Sequence, residues 1–379
     1  MTRHFAAAMR RATKLMRPAR MKKAGSVQKA MTGLMVKAML SALPDPTPKK
    51  ATPAKVATRK PRVVKTAGSL GTVVAKLRTA SMNRTGTGKA GAGRSQARSE
   101  TPPIHRSGGA SRSYRIHMPK DHAKEPKGLL LMLHGCSQTI DDFALGTGMN
   151  RHADKHGLIV VYVEQTSVDN AAACWNWFRP DNQVRGGGEP ALLASLTRKI
   201  MKEHGLTRDS VFVAGLSAGG AMAAILADVY PDVFAAAGIH SGLPRGAARD
   251  VMSAMSAMRS GGAVMPAATR PPHPGLATRR IIFHGDKDST VHPSNAAAIV
   301  AGAIGDTALP HRVTRRSVRG RSYARSDFAD ADGQIQLELW TIEGSGHAWS
   351  GGKAAGSYTD AKGPDASAQM IRFFVGSSA

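Results

Sequence analysis

Near the middle of the chain a serine stands between glycines, Gly215-Leu216-Ser217-Ala218-Gly219. A serine hydroxyl is a weak nucleophile. It needs a base to take its proton and an acid to orient that base. Candidates of both kinds lie downstream: Asp288 in His284-Gly285-Asp286-Lys287-Asp288, and His347 in Gly344-Ser345-Gly346-His347-Ala348-Trp349, 71 and then 59 residues further on. Asp286 competes for the acid's place. Asp288 sits further into its loop and is preferred, with Asp286 expected to support the turn. An oxyanion formed during acyl transfer would also need two fixed N–H donors. The Ala218 amide, one residue past the serine, and the Cys136 amide in His134-Gly135-Cys136 are the candidates. With 40 glycines in 379 residues the bare glycine-serine pattern says little, so its setting has to decide.

That setting is a strand before the serine and a helix after it. Val211-Phe212-Val213 is β-branched and aromatic, and the alanine- and methionine-rich run after Ser217 reads as helix. A tight turn between the two would push the hydroxyl outward, and small residues at −2 and +2 would let the backbones approach. From Tyr114 onward strand and helix signals alternate. Strands are expected at YRIHMP, ended by its proline, and at KGLLLMLHG, LIVVYVE, VFVAG, VFAAAGIHSG, RRIIFHGDKD and IQLELWTIEG. Helices are expected at MNRHADKHG, about 190–204, after Ser217, about 294–303 and at DASAQMIRFFVG. This alternation predicts an α/β fold with a mostly parallel central sheet and helices on both faces. In such sheets the site lies at the carboxyl ends of the strands. His134-Gly135-Cys136, Ser217, Asp288 and His347 each fall just past an expected strand.

The charge is uneven. The net charge is +27, yet residues 1–113 hold 25 of the 53 Lys+Arg against only Asp45 and Glu100. Residues 1–40 read as a basic tail, helical in part, with Met9, Met16, Met31, Leu34, Met35 and Met39 roughly at helical spacing and a break near Pro18. Residues 41–111, rich in Pro, Thr, Lys, Gly and Ser, read as a largely disordered linker with too few apolar residues to offset ordering. The globular domain is expected over 112–379. The tail is a candidate for binding an anionic surface, whether granule, membrane or nucleic acid. The apolar stretches within it are too short or interrupted for a secretory signal, and no membrane-spanning run occurs. Two cysteines exclude a disulfide scaffold and a four-cysteine metal site, and no metal-ligand cluster or phosphate loop appears. No metal or cofactor is therefore expected.

Residues 112–376 resemble the poly(3-hydroxybutyrate) depolymerase-type esterases, which are close to the feruloyl and acetylxylan esterases. The matching stretches are LLLMLHGCSQTIDDFA, CWNWFRPDNQVRGGGEP, VFVAGLSAGGAMAAILADVYPDVFAAAGIHSG, HGDKDSTVHPSNA and GSGHAWSGG. The resemblance implies the α/β-hydrolase fold, whose triad runs in the order Ser…Asp…His. It thus implies the triad Ser217, Asp288 and His347, and esterase activity. It also implies a Cys136–Cys174 disulfide, against the simpler reading of two buried thiols. Pairing suits an oxidising compartment, as does the secreted habit of the family. The lack of a recognisable signal points instead to the cytoplasm, where thiols stay reduced.

Trp175, Trp177 and Trp349 are candidates for lining an apolar substrate cleft, with one of the first two expected to face the core. His134 and His284 are expected to hydrogen-bond loop backbone. Arg185 and Glu189 are expected to pair or brace their loop. Three functions fit these residues. The first is a serine esterase acting on polyhydroxybutyrate or short hydroxyalkanoate oligomers. The second is a feruloyl or acetyl esterase on plant polysaccharide. The third is a non-enzymatic protein that binds an anionic surface and carries a relic hydrolase domain. The sequence sets no oligomeric state.

Overall fold

The computed structural model describes residues 102–261, 277–304 and 311–376. The expectations for residues 1–40 and for 41–101 lie outside the described residues. Twelve strands are described: β1 (Ile104–Ser107), β2 (Ala110–His117), β3 (Gly128–Leu133), β4 (Leu158–Val163), β5 (Val211–Leu216), β6 (Ala236–His240), β7 (Arg279–Gly285), β8 (His311–Val318), β9 (Arg321–Ala329), β10 (Ile335–Ile342), β11 (Trp349–Ser350) and β12 (Thr359–Asp360). Seven α-helices accompany them: α1 (Ile140–Thr147), α2 (Met149–His156), α3 (Gly188–Glu203), α4 (Ala218–Val229), α5 (Val251–Ser260), α6 (Ser294–Ile304) and α7 (Ala366–Val375). No helix among the described residues is long and apolar enough to cross a membrane.

Ten strands form one sheet in the order β1-β2-β4-β3-β5-β6-β7-β10-β9-β8. The middle six are parallel, and antiparallel strands close both edges. The central strands are apolar throughout because both faces are covered. Period-two alternation then splits each strand between two cores. Leu129, Leu131 and Leu133 of β3 join Val211 and Val213 of β5 under α3 and α4. Leu130 and Met132 join Phe212, Phe283 and Trp340 on the opposite face, under α7.

Three differences from the sequence reading have local causes. The segment 102–111, read as linker, contributes β1 and the start of β2. Its Ser-Gly-Arg composition carries no apolar signal, and its order comes from backbone pairing with β2. The domain thus begins about ten residues earlier than expected. Helix α1 was not read, although Thr139 caps it by accepting from the Asp142 N–H. The hairpin β8–β9 was not read either, because its arginines and serines show no alternating apolar face.

Glycines make the turn around Ser217 possible. A Cβ on Gly219 would land on the carbonyl oxygen of Leu133, and one on Gly215 would land on the backbone of Gly219. Strand β3, strand β5 and helix α4 therefore approach at a distance only glycine permits. Gly302, in the exposed part of α6, has open space around it. Gly219→Ala should lower the unfolding free energy by about 1–3 kcal/mol, as overpacking does. Gly302→Ala should raise it by about 0.5–1 kcal/mol by removing chain freedom from the unfolded state. Urea unfolding of the two variants beside the parent gives opposite signs if the contact at Gly219 is as tight as described.

Candidate active site

Ser217 follows β5 and caps α4 with φ 57° and ψ −118°. This is a sparsely populated conformation for a residue with a Cβ, and it costs on the order of 1–3 kcal/mol. The surroundings impose it. The Ser217 N–H donates to the His240 carbonyl at 2.9 Å, and the Ser217 carbonyl accepts from Ala221 N–H at 2.9 Å. The serine is thus held on a sharp strand-to-helix turn.

Asp288 and His347 come together directly: His347 Nδ1 lies 2.7 Å from Asp288 Oδ2. The other oxygen, Oδ1, accepts from Thr290 N–H at 2.9 Å and Val291 N–H at 2.8 Å. Burial alone would push the Asp288 carboxyl up. The charges of His347 and His284 and their hydrogen bonds overcome it and hold the group well below the usual carboxylate range. Asp286 does something else. Its Oδ1 accepts from Gly344 N–H at 2.7 Å, bracing the turn that leads to the histidine. His284 reaches the Val291 carbonyl at 2.9 Å, so it fastens the Asp288 loop to its own strand.

His240, at the end of β6, links the serine's turn to the histidine's loop. Its carbonyl holds Ser217, and its Nε2 accepts from Ser350 N–H at 3.0 Å, three residues beyond His347. Nδ1, which must carry the proton, faces Ser241 Oγ at 3.2 Å. The ring packs against Phe283 and Trp349, with centroids 5.7 and 5.1 Å away. Burial, with the charges of His284 and His347, pushes its pKa down to about 3. This residue's part is not legible from its position, because a histidine at a strand end has no spacing signature.

The Cys136 loop is fixed from both sides. Cys136 and Cys174 form a disulfide with Cα atoms 4.3 Å apart. Ser137 N–H donates to the Ala172 carbonyl at 2.9 Å, and Gly135 N–H donates to Gln138 Oε1 at 2.9 Å. His134 Nε2 accepts from Gln165 N–H at 3.0 Å, and burial keeps that imidazole's pKa low. Gln165 in turn donates to the Cys174 carbonyl at 2.9 Å and to Glu189 Oε1 at 2.6 Å. Glu189 is buried. It also takes Asn176 N–H at 2.8 Å and Arg112 Nη2 at 3.1 Å. Burial pushes its carboxyl up, and Asn176, Arg112 and Gln165 offset only part of that. The amides of Cys136 and Ala218 make no hydrogen bond among the described residues. Buried backbone N–H groups without partners are rare, and two of them flanking a serine suit an incoming negative oxygen.

Two expectations are corrected. Trp175, Trp177 and Trp349 are all buried, at 0, 2 and 1% exposure, and line no open cleft. Trp175 and Trp177 lie in a loop folded onto the sheet rather than on a strand, so alternation does not send one of them outward. Trp349 packs on His240 and donates its indole N–H to Ser367 Oγ at 3.1 Å. Arg185 and Glu189 do not pair with each other. Arg185 grips both oxygens of Asp232, at 2.6 and 2.8 Å, and covers the Tyr230 ring.

The fold and the site's position on it define an α/β-hydrolase. The chain matches the family model described as esterase PHB depolymerase over residues 112–308 and belongs to that family. Among relatives, it is 31% identical over 230 residues to poly(3-hydroxyalkanoate) depolymerase C of Paucimonas lemoignei, covering 58% of this chain and 54% of that one. It is 28% identical over 193 residues to acetylxylan esterase A of Aspergillus oryzae, covering 48% of this chain and 62% of that one. The chain thus spans a little over half the length of these relatives. An acetyl xylan esterase from Aspergillus awamori shares the fold, with a TM-score of 0.53 and 23% identity over 62% of this chain and 89% of that one.

The neutral state of His240 has a measurable consequence. Between pH 6.5 and about 3 the folded protein keeps this ring unprotonated while the unfolded chain takes up a proton. The unfolded state binds more protons there, so stability must fall as pH falls. The slope for this one group approaches about 1.4 kcal/mol per pH unit. His240→Asn, which keeps an acceptor for Ser350, should flatten the fall between pH 6.5 and 5, where carboxylates add little. Urea unfolding at several pH values gives parallel curves for parent and variant if His240 is not the titrating group.

Proposed function

We propose that this chain is a serine hydrolase of carboxylic esters. The observation that carries the reading is the buried Asp288–His347 pair at 2.7 Å, on the same sheet edge as a serine in a strained turn. Ser217 Oγ attacks the ester carbonyl carbon while His347 Nε2 takes its proton. Ionised Asp288 holds the ring in the Nδ1–H tautomer and stabilises the imidazolium. The amides of Ala218 and Cys136 receive the oxyanion. The carbonyl re-forms, the ester C–O bond breaks, and His347 returns the proton to the leaving alcohol. Water, deprotonated by the same histidine, then cleaves the acyl-enzyme and regenerates Ser217. An Asp288–His347 pair held at 2.7 Å speaks against a relic domain that only binds.

Two substrate classes follow from the family's range: polyhydroxybutyrate or its oligomers, and acyl groups on a plant polysaccharide. An apolar polyester needs an apolar surface beside the serine. The three tryptophans that would have supplied it are in the core. That favours the polysaccharide reading. The basic tail is proposed to bind an anionic surface apart from the chemistry, and the disulfide accords with an oxidising compartment.

Hydrolysis of p-nitrophenyl acetate and butyrate tests the mechanism. Ser217→Ala should abolish turnover while leaving the unfolding free energy within about 1 kcal/mol of the parent. Asp288→Asn should reduce kcat about 10⁴-fold, the cost of the wrong tautomer. Asp286→Asn should leave kcat within about threefold of the parent, because its carboxylate holds a turn and not the histidine. Greater damage from Asp286→Asn than from Asp288→Asn would reverse the acid assignment.

A further inference from the structure

The hairpin β8–β9 forms one edge of the sheet. From His311 to Ala329 it carries six arginines and one carboxylate, Asp327. Arg312, Arg315 and Arg316 on β8 and Arg319 in the turn are exposed, and none of the four is in an ion pair among the described residues. The carboxylate opposite Arg312 in the register is Asp327, and Arg325 already holds it at 2.7 Å. Three exposed guanidiniums without a carboxylate of their own, Arg312, Arg315 and Arg316, therefore lie along β8, and Arg319 in the turn follows them, its charge also acting on Asp365. Such clustering opposes folding through like-charge repulsion, so a bound anion would relieve it.

The hairpin's direction relates it to the site. Strand β10 ends at Ile342, where the loop to His347 begins, and Ile342 faces Tyr323 of the antiparallel β9. The Arg319-Gly320 turn therefore lies on the carboxyl edge of the sheet, the edge that carries Ser217, Asp288 and His347. Both turn residues have positive φ, 47° and 72°, the geometry of a tight two-residue hairpin. Arg321, the first residue of β9, ties this tip to the histidine loop. It donates to the Gly344 carbonyl at 2.7 Å and grips Asp360 at 2.8 Å. Five strand spacings separate β8 from β5, about 24 Å at ~4.8 Å each, so a polymer of several units would reach from arginines to serine.

We infer that the β8–β9 hairpin is a docking rail for a linear polyanion that is itself the substrate: an acylated acidic polysaccharide, with carboxylates on the sugar backbone held by Arg312, Arg315, Arg316 and Arg319 while an ester on the same chain enters at Ser217. This rests on the esterase reading above and narrows it. A polyhydroxyalkanoate backbone carries no charge for these arginines to hold. A nucleic acid carries charge but no carboxylic ester for the serine to cleave.

The test uses the full chain, so that the basic tail is common to every sample. Parent and a variant carrying Arg312→Glu, Arg315→Glu, Arg316→Glu and Arg319→Glu are compared on acetylated polygalacturonate, acetylated neutral xylan and p-nitrophenyl acetate, at low and high salt. The parent should prefer the acidic polymer over the neutral one about tenfold in kcat/KM at low salt, and the preference should collapse at high salt. The variant should raise KM on the acidic polymer about tenfold, with kcat and p-nitrophenyl acetate turnover unchanged. An unchanged KM, an equal loss on neutral xylan, or a variant defect confined to duplex DNA binding overturns the proposal while leaving the esterase reading intact. No turnover of p-nitrophenyl acetate by the parent sinks that reading instead. Binding of fluorescent polygalacturonate, which needs no chemistry, then still decides whether the hairpin holds polyanions. Equal binding by parent and variant overturns it.

Discussion

The site depends on one imidazole staying neutral. His240 offers its carbonyl to the serine's N–H and its Nε2 to the N–H of Ser350 in the loop that carries His347. Protonation would put a proton on Nε2 and turn an acceptor into a donor facing a donor. Packing between Phe283 and Trp349 makes the charged form costly, because an apolar cavity cannot solvate it. Trp349, expected to line a substrate cleft, thus packs with Phe283 on this ring and keeps it in one charge state. That ring ties the turn of Ser217 to the loop of His347.

The same logic runs in the opposite sense in the loop that carries Cys136. There a buried carboxylate, Glu189, collects Arg112, Gln165 and Asn176, and through Gln165 it reaches the backbone of Cys174. A buried ion pair is a weak source of stability once desolvation is counted, though removing one partner is expensive. What this network does is select one conformation for a loop with left-handed, non-glycine residues at both Ser137 and Ala173, on either side of the disulfide. Covalent bond and buried charge act on the same segment. Together they leave the Cys136 N–H aimed and unshared.

The sequence made some of this legible and hid the rest for identifiable reasons. Parallel strands announced themselves, because burial on both faces demands continuous apolar runs such as GLLLML and LIVVYV. The serine's turn was readable because close backbone approach demands glycine, and glycine at a fixed offset survives as a pattern. His240, Gln165 and Glu189 were not readable as partners. Their effect comes from backbone groups brought together by tertiary packing, at separations such as the 110 residues between His240 and Ser350. The tryptophans misled because their types suggested a surface while their environment is set by a loop folding inward. β1 and β8 were missed because an edge strand can be ordered by ladder hydrogen bonds alone, and composition carries no trace of those.

The sheet's edges therefore differ in kind from its centre. The parallel strands must be apolar on both faces and rigid, so their carboxyl ends can hold reacting groups to within fractions of an ångström, but their side chains are not free to vary. The antiparallel edge strand β8 is exposed along nearly its whole length, so its side chains carry little packing constraint. Charge placed there costs little in packing and can set which polymer is retained without moving Ser217, Asp288 or His347. Arg321 joins the two regimes. It belongs to the exposed hairpin yet holds the Gly344 carbonyl within the rigid loop. A polymer docked at that edge, as proposed, would meet a candidate site that does not need to deform to receive it.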